Sequence, residues 1–218
     1  MGELNLDALK YGNARREHIE LLNTTNYLDK VFTDLTQYAF PANSSNTAKD
    51  ELNSVRECID ELSQEEKIQK RFYDYDEGVV IMFLKYLVSK GATKDEAESL
   101  INALNYDVLP IIFKLKYYFN RVRPYQLAFY YKLKLFPFTS YSDGSPSYPS
   151  AHAVQAYLFA MVIGDKYPQL YQHVTKFAQD IAISRIYMGL HYQSDVDFAY
   201  IVAQKIYDEK EFKLKYKL

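Results

Sequence analysis

The chain has 218 residues, enough for one domain with a sizeable core. Apolar residues make up 48% and charged ones 25%, ordinary globular proportions, and a net charge of −2 excludes nucleic acid as a main partner, because a duplex binder carries a basic face. The single cysteine, Cys58, excludes an intrachain disulfide.

The N-terminus places Glu3 and Asp7 where a secretory leader would carry a basic start and an apolar run. The sequons at Asn23 and Asn43 are therefore expected to stay unmodified, and a reducing cytoplasm is the expected compartment. Leu28, Val31, Phe32 and Leu35 line one face of a predicted helix that stops before Pro41. A polar loop over 42–49 follows, and then Leu52, Val55, Ile59 and Leu62 return at helical spacing, with Cys58 on that apolar face as an inert thiol. Val79 to Lys90 reads as a buried helix ending at Gly91, and Thr93 with Glu96 forms a capping box opening a short helix. The next helix is predicted over Asp107–Val122, with Pro110 in its first turn and Pro124 stopping it at Arg123. A Ser/Pro/Gly-rich loop spans 137–148, and Ser150 opens the helix that carries His152. Pro168 opens another helix reaching about Tyr187, where Gly189 ends it. Ser194 caps the last, Asp195–Tyr207, and Lys210, Lys213, Lys215 and Lys217 read as a solvated tail.

The most apolar stretches, Val79–Val88 with Lys85 and Ala153–Gly164 with Gln155, fall short of the ~20 residues a bilayer needs, so no transmembrane segment is predicted. With no strand pair, repeat or linker, the expected fold is one all-α domain. Residues 1–105 would supply N-terminal helices, and 106–208 the helices bearing three motifs.

Those motifs carry the chemistry. Lys116 and Arg123 in K-x6-R-P lie two turns apart and are predicted on one helix face, which taken alone is a solvated basic face. Pro149-Ser150-Ala151-His152 sits where a loop becomes a helix, and free N–H groups with the helix dipole favour an anion there. Taken alone it reads first as an N-cap beside a satisfied histidine. In Ser184-Arg185-x5-His191-x3-Asp195 the spacing lets a carboxylate hold one imidazole nitrogen and leave the other free to attack, though a purely structural His–Asp pair has the same spacing. His18 and His173 lie on polar stretches and read as surface residues.

About ten specified positions in this order exceed what chance supplies. The chain resembles the type 2 phosphatidic acid phosphatase superfamily, whose pattern is K-x6-R-P, P-S-G-H, S-R-x5-H-x3-D. That family contains soluble bacterial class A non-specific acid phosphatases, membrane lipid phosphatases and vanadium-dependent haloperoxidases. The likeness covers roughly 114–197, and Ser147 to Ser150 with His191 to Asp197 look most like the class A enzymes. Ala151 stands where the family has glycine. Were that position at positive φ, alanine would be strained by roughly 1–2 kcal/mol; in a first helical turn, where it is expected, the residue is harmless but its methyl narrows the pocket.

The resemblance implies a helical bundle of the acid phosphatase/haloperoxidase type and a phosphomonoester hydrolase acting on a small phosphorylated substrate. In it Lys116, Arg123 and Arg185 would hold phosphoryl oxygens, and Ser150 with the Ala151 N–H would complete the cradle. His191 would attack phosphorus, Asp195 would orient it, and His152 would act as acid and then base. No metal or other cofactor is implied, and vanadate is expected as a phosphate-mimicking inhibitor. A vanadate-dependent haloperoxidase and a non-catalytic phosphate-binding protein are the alternatives, a lipid phosphatase is a variant within the class, and a homo-oligomer stays open. Selectivity is expected from the loop 139–148 and from aromatics such as Tyr73 and Tyr75.

Overall fold

The computed structural model describes residues 5–218, and regular structure among them is helical throughout. The helices run α1 (Arg16–Asn23), α2 (Asp29–Leu35), α3 (Asn46–Ser63), α4 (Glu66–Asp76), α5 (Val79–Ser89), α6 (Lys94–Phe119), α7 (Pro124–Tyr130), α8 (Ala151–Lys166), α9 (Tyr171–Tyr187), α10 (Gln193–Asp208) and α11 (Lys210–Tyr216). At the centre lies α8, whose Ala153, Val154, Ala156, Leu158, Phe159, Val162 and Ile163 leave no solvated face. A helix apolar all round must be enclosed, and here α9, α10, α6 and α5 pack about it.

Two helices expected to be separate are one. Helix α6 runs unbroken through Pro110, so the capping box at Thr93 opens a long helix, and the boundary drawn between 105 and 106 falls inside it. Proline in a helix interior removes one backbone bond and costs ~3 kcal/mol. Packing on both sides offsets this: Ile101, Leu104 and Val108 before the proline and Ile111, Ile112 and Leu115 after it are fully buried.

The residue three before Pro110 is also pinned from two ends of the chain. The buried carboxylate of Asp107 accepts from Tyr27 Oη at 2.6 Å, Tyr216 Oη at 2.8 Å and Lys215 Nζ at 2.7 Å. Burial, with the bond to Asp107, pushes both phenols above their ordinary pKa. The C-terminal stretch is therefore no free tail: Lys210, Lys213 and Lys215 belong to α11 and Lys217 caps it, and although Lys210 and Lys217 are exposed, the helix buries Phe212 and Tyr216 and docks Lys215 on Asp107. Asp107→Ala leaves the two tyrosine hydroxyls without their acceptor, and is expected to lower stability in urea unfolding by about 1–3 kcal/mol.

Helix α6 ends at Phe119 rather than Val122, because Asn120 takes the left-handed conformation (φ 51°) that stops helices. The side chain of Asn120 then brackets Gly12, donating to its carbonyl and accepting from its N–H, both at 3.0 Å. Helix α7, unanticipated, starts at Pro124, where the missing N–H costs nothing.

Candidate active site

The cationic motif is assembled by a chain reversal, not by a shared helix face. Lys116 lies in the last turn of α6, whereas Arg123 lies beyond Asn120 as the N-cap of α7, its N–H held by Gln126 Oε1 at 2.8 Å. Both side chains are nonetheless buried at one cavity, and Arg185, in the last turn of α9, is buried behind it. Loop carbonyls partly satisfy them: Lys116 donates to Pro146, and Arg123 to Ser145 and Leu190 at 2.9 Å each. Burial and the neighbouring Arg123 hold Lys116 well below the usual lysine pKa, and burial also lowers both arginines. An anion arriving here would relieve stored repulsion.

His191 follows a tight turn. Gly189 has φ 77°, and a Cβ there would lie 2.6 Å from Ile59 Cδ1, so glycine meets both the backbone and the space requirement. His191 Nδ1 stands 3.1 Å from Asp195 Oδ2, and its Nε2 is 3.4 Å from Arg123 Nη1. The carboxylate selects the Nδ1–H tautomer and leaves the Nε2 lone pair at the cavity. Burial first, then Arg123, Lys116 and Arg185, keeps His191 neutral by lowering its pKa well below the histidine range.

Opposite motif residues come from α8. Ser150 caps the helix, its Oγ 3.5 Å from the Ala153 N–H, and its own N–H donates to the Asp195 carbonyl at 3.1 Å, tying the starts of α8 and α10 together. Ala151 is the first helical residue and has no positive φ, so the strained alternative does not arise. His152 sits in the first turn with its Nε2 buried and unpartnered. Burial and Arg185 hold its pKa well below the ordinary range. Lys116, Arg123, Ala151, His152 and His191 thus line one cavity of about 210 Å³. Arg185, Ser150 and Asp195 stand behind that lining, each joined to it by a bond or by sequence.

Residues 99–204 match the PAP2 superfamily. Over 57 residues, 26% of the chain, the sequence is 39% identical to a non-specific acid phosphatase of Providencia stuartii, and the match spans only 23% of that protein's length. The fold is shared with the crystal structure of a transmembrane PAP2 type phosphatidylglycerolphosphate phosphatase from Bacillus subtilis, at TM-score 0.51 and 18% identity, covering 83% of this chain and 90% of that one. That likeness overturns the cytoplasmic location expected from the sequence, since the same fold serves a transmembrane protein. Among the described residues no helix is long and apolar enough to cross a membrane.

Several residues that complete the site escaped the sequence reading. Arg121, inside the PAP2 segment, points away from the cavity but into its support: it donates to Asp195 Oδ1 at 2.7 Å, Ser194 Oγ at 2.8 Å and Glu51 Oε2 at 2.9 Å. Asp76, outside the segment, accepts from Arg185 Nη2 at 2.8 Å, from Ser140 Oγ at 2.8 Å and from the Tyr141 N–H at 3.1 Å, so it aims the arginine and anchors the loop together. Arginine at Asp76 and the hydrogen bonds of Ser140 and Tyr141 outweigh burial and hold that carboxyl below its usual pKa. The arginine pair Arg121-Val122-Arg123 was the only local hint; Glu51 and Asp76 gave none. Tyr73 and Tyr75 do not line the cavity: Tyr73 packs edge-on against Phe138, and Tyr75 is buried on Phe72 and Phe177. His18 is half-buried at the cavity rather than on a solvated face, whereas His173 is exposed as expected.

Proposed function

We propose that the chain is a phosphomonoester hydrolase that works through a phosphohistidine on His191. The observation that carries this reading is the pair of imidazole Nε2 atoms at one cation-walled cavity, one oriented by Asp195 and one without a partner. His191 Nε2 attacks phosphorus as the bond to the ester oxygen breaks, and protonated His152 gives its proton to that oxygen. His152, now neutral, takes a proton from water; the hydroxide attacks phosphorus, the P–N bond breaks, and inorganic phosphate leaves with His191 neutral again. Lys116, Arg123 and Arg185 stabilise the charge on the equatorial oxygens, and the Ala151 N–H adds the donor of a helix start. These fixed cations fill the part a metal plays in other phosphoryl transfers, so the reaction is metal-independent.

The pH dependence follows from His152. Its pKa in the free protein lies below the ordinary value, so it is neutral at pH 7 and becomes the required acid as pH falls. For an alkyl phosphate, whose leaving group needs that proton, kcat/KM is therefore expected to rise from pH 7.5 toward acid. A bound dianion counters the charge of Arg185 and favours the imidazolium, so the kcat profile should lie at higher pH than that of kcat/KM. Steady-state assays in EDTA, with and without orthovanadate, test the reading. Activity that vanishes in EDTA and returns with a divalent metal, or that orthovanadate leaves untouched, would sink it.

A further inference from the structure

The cavity has a second wall that the phosphoryl chemistry does not use. It is formed by Phe113 and Leu109 of α6, by Arg15 of the segment entering α1, and by Glu17 and His18 in the first turn of that helix. That segment is docked. Tyr11 Oη donates to the Asp143 carbonyl at 3.0 Å, and the Arg15 guanidinium lies so close over Gly144 that a Cβ there would be 2.3 Å from Nη1.

We propose that this wall is a leaving-group subsite for phosphomonoesters whose alcohol carries one flat, uncharged ring; the proposal rests on the hydrolase reading above. The wall offers a fixed aromatic face. His18 lies against Phe113 with ring centroids 4.3 Å apart, and its Nδ1 is held 2.8 Å from Tyr117 Oη. Burial lowers the pKa of His18, so at neutral pH it presents a neutral ring rather than a cation. Size agrees: an apolar cavity of about 150 Å³ takes a benzene ring, and the whole cavity here measures about 210 Å³. One ring and a phosphoryl head fill it. Charge agrees as well. Arg15 Nη1 is 3.8 Å from Glu17 Oε1, so the rim cation is matched by an anion, and Glu17 repels a second phosphate. A di- or polyphosphate is disfavoured on that ground.

Non-hydrolysable phosphonates test the subsite without turnover. By isothermal titration the wild-type protein is expected to bind phenylphosphonate roughly tenfold tighter than methylphosphonate, the upper range for one added aromatic contact. The ratio should fall toward one in His18→Ala and return in His18→Phe, which restores a flat ring without the imidazole nitrogens. Methylenediphosphonate should bind no tighter than methylphosphonate. Equal affinity for the phenyl and methyl compounds, an unchanged ratio in His18→Ala, or tighter binding of the diphosphonate overturns the subsite and leaves the phosphoryl site standing. Failure of all three phosphonates to bind overturns the phosphoryl site and the subsite with it.

Discussion

His191→Ala is expected to reduce turnover of p-nitrophenyl phosphate by at least about 10⁴-fold, because the nucleophile acts as a unit with the groups that orient and assist it. His152→Ala should behave differently on the same substrate. The p-nitrophenolate leaves as a stable anion and needs little help from an acid, so the first step survives. The second step does not, since no base remains to take the proton from water. The variant should therefore release one equivalent of p-nitrophenolate per site in a burst and then stall, with the phosphoryl group held on His191. Rapid-quench assays and intact-mass spectrometry read both events. On an alkyl phosphate, whose poor leaving group needs the proton, His152→Ala should lose about 10²–10⁴-fold in the first step itself. Near-normal turnover by His191→Ala, or a phosphorylated residue other than His191, would overturn the mechanism. Loss of fold is not a concealed cause, because Asp195 keeps Arg121 and the Tyr192 N–H as partners, 2.7 and 3.0 Å away, when the imidazole goes. Circular dichroism checks this.

The parts of the site that could be read from sequence share one property: each is specified within a few residues of chain. Ser150, Ala151 and His152 depend on one helix start, and His191 with Asp195 on one turn and the first residues of the helix after it. The fold class was legible for the same reason, since an apolar repeat of 3.6 is local. What escaped depends on distance along the chain. Arg185 meets Asp76 across 109 positions and Arg121 meets Glu51 across 70, and no spacing rule links such pairs. Pro110 misled because its local cost is overridden by burial on both sides. The C-terminal lysines masked the Phe212 and Tyr216 pair, four apart, that buries one face of α11. Lys116 and Arg123 meet at one cavity through the left-handed turn at Asn120 and not through the helical phase their spacing suggests.

Arg121 gives the largest expected effect on stability. It is wholly buried, stacks 3.8 Å from the Tyr192 ring centroid, and lies between the carboxylates of Asp195 and Glu51. Those carboxylates and the Tyr192 ring outweigh the burial that would depress it, so its pKa is raised and it stays charged. Removing one member of such a cluster strands the others: Arg121→Leu leaves two anions facing each other out of water, at a cost of about 3–5 kcal/mol. For a chain of this size that corresponds to a fall in Tm of roughly 6–20 °C, readable by calorimetry. Arg121→Lys keeps the charge but loses the planar fork that serves both carboxylates, so an intermediate loss is expected. Adding Glu51→Gln to Arg121→Leu removes one stranded charge, and the double variant should be more stable than the single one. A strictly additive pair, or a single-variant loss below about 1 kcal/mol, would mean that the cluster is solvated rather than sealed. Activity separates the structural part from the chemical part. With the fold still populated below its Tm, Arg121→Leu leaves Asp195 bonded to His191 but free to tilt, so kcat should fall while KM for p-nitrophenyl phosphate holds, because Arg121 never reaches the cavity.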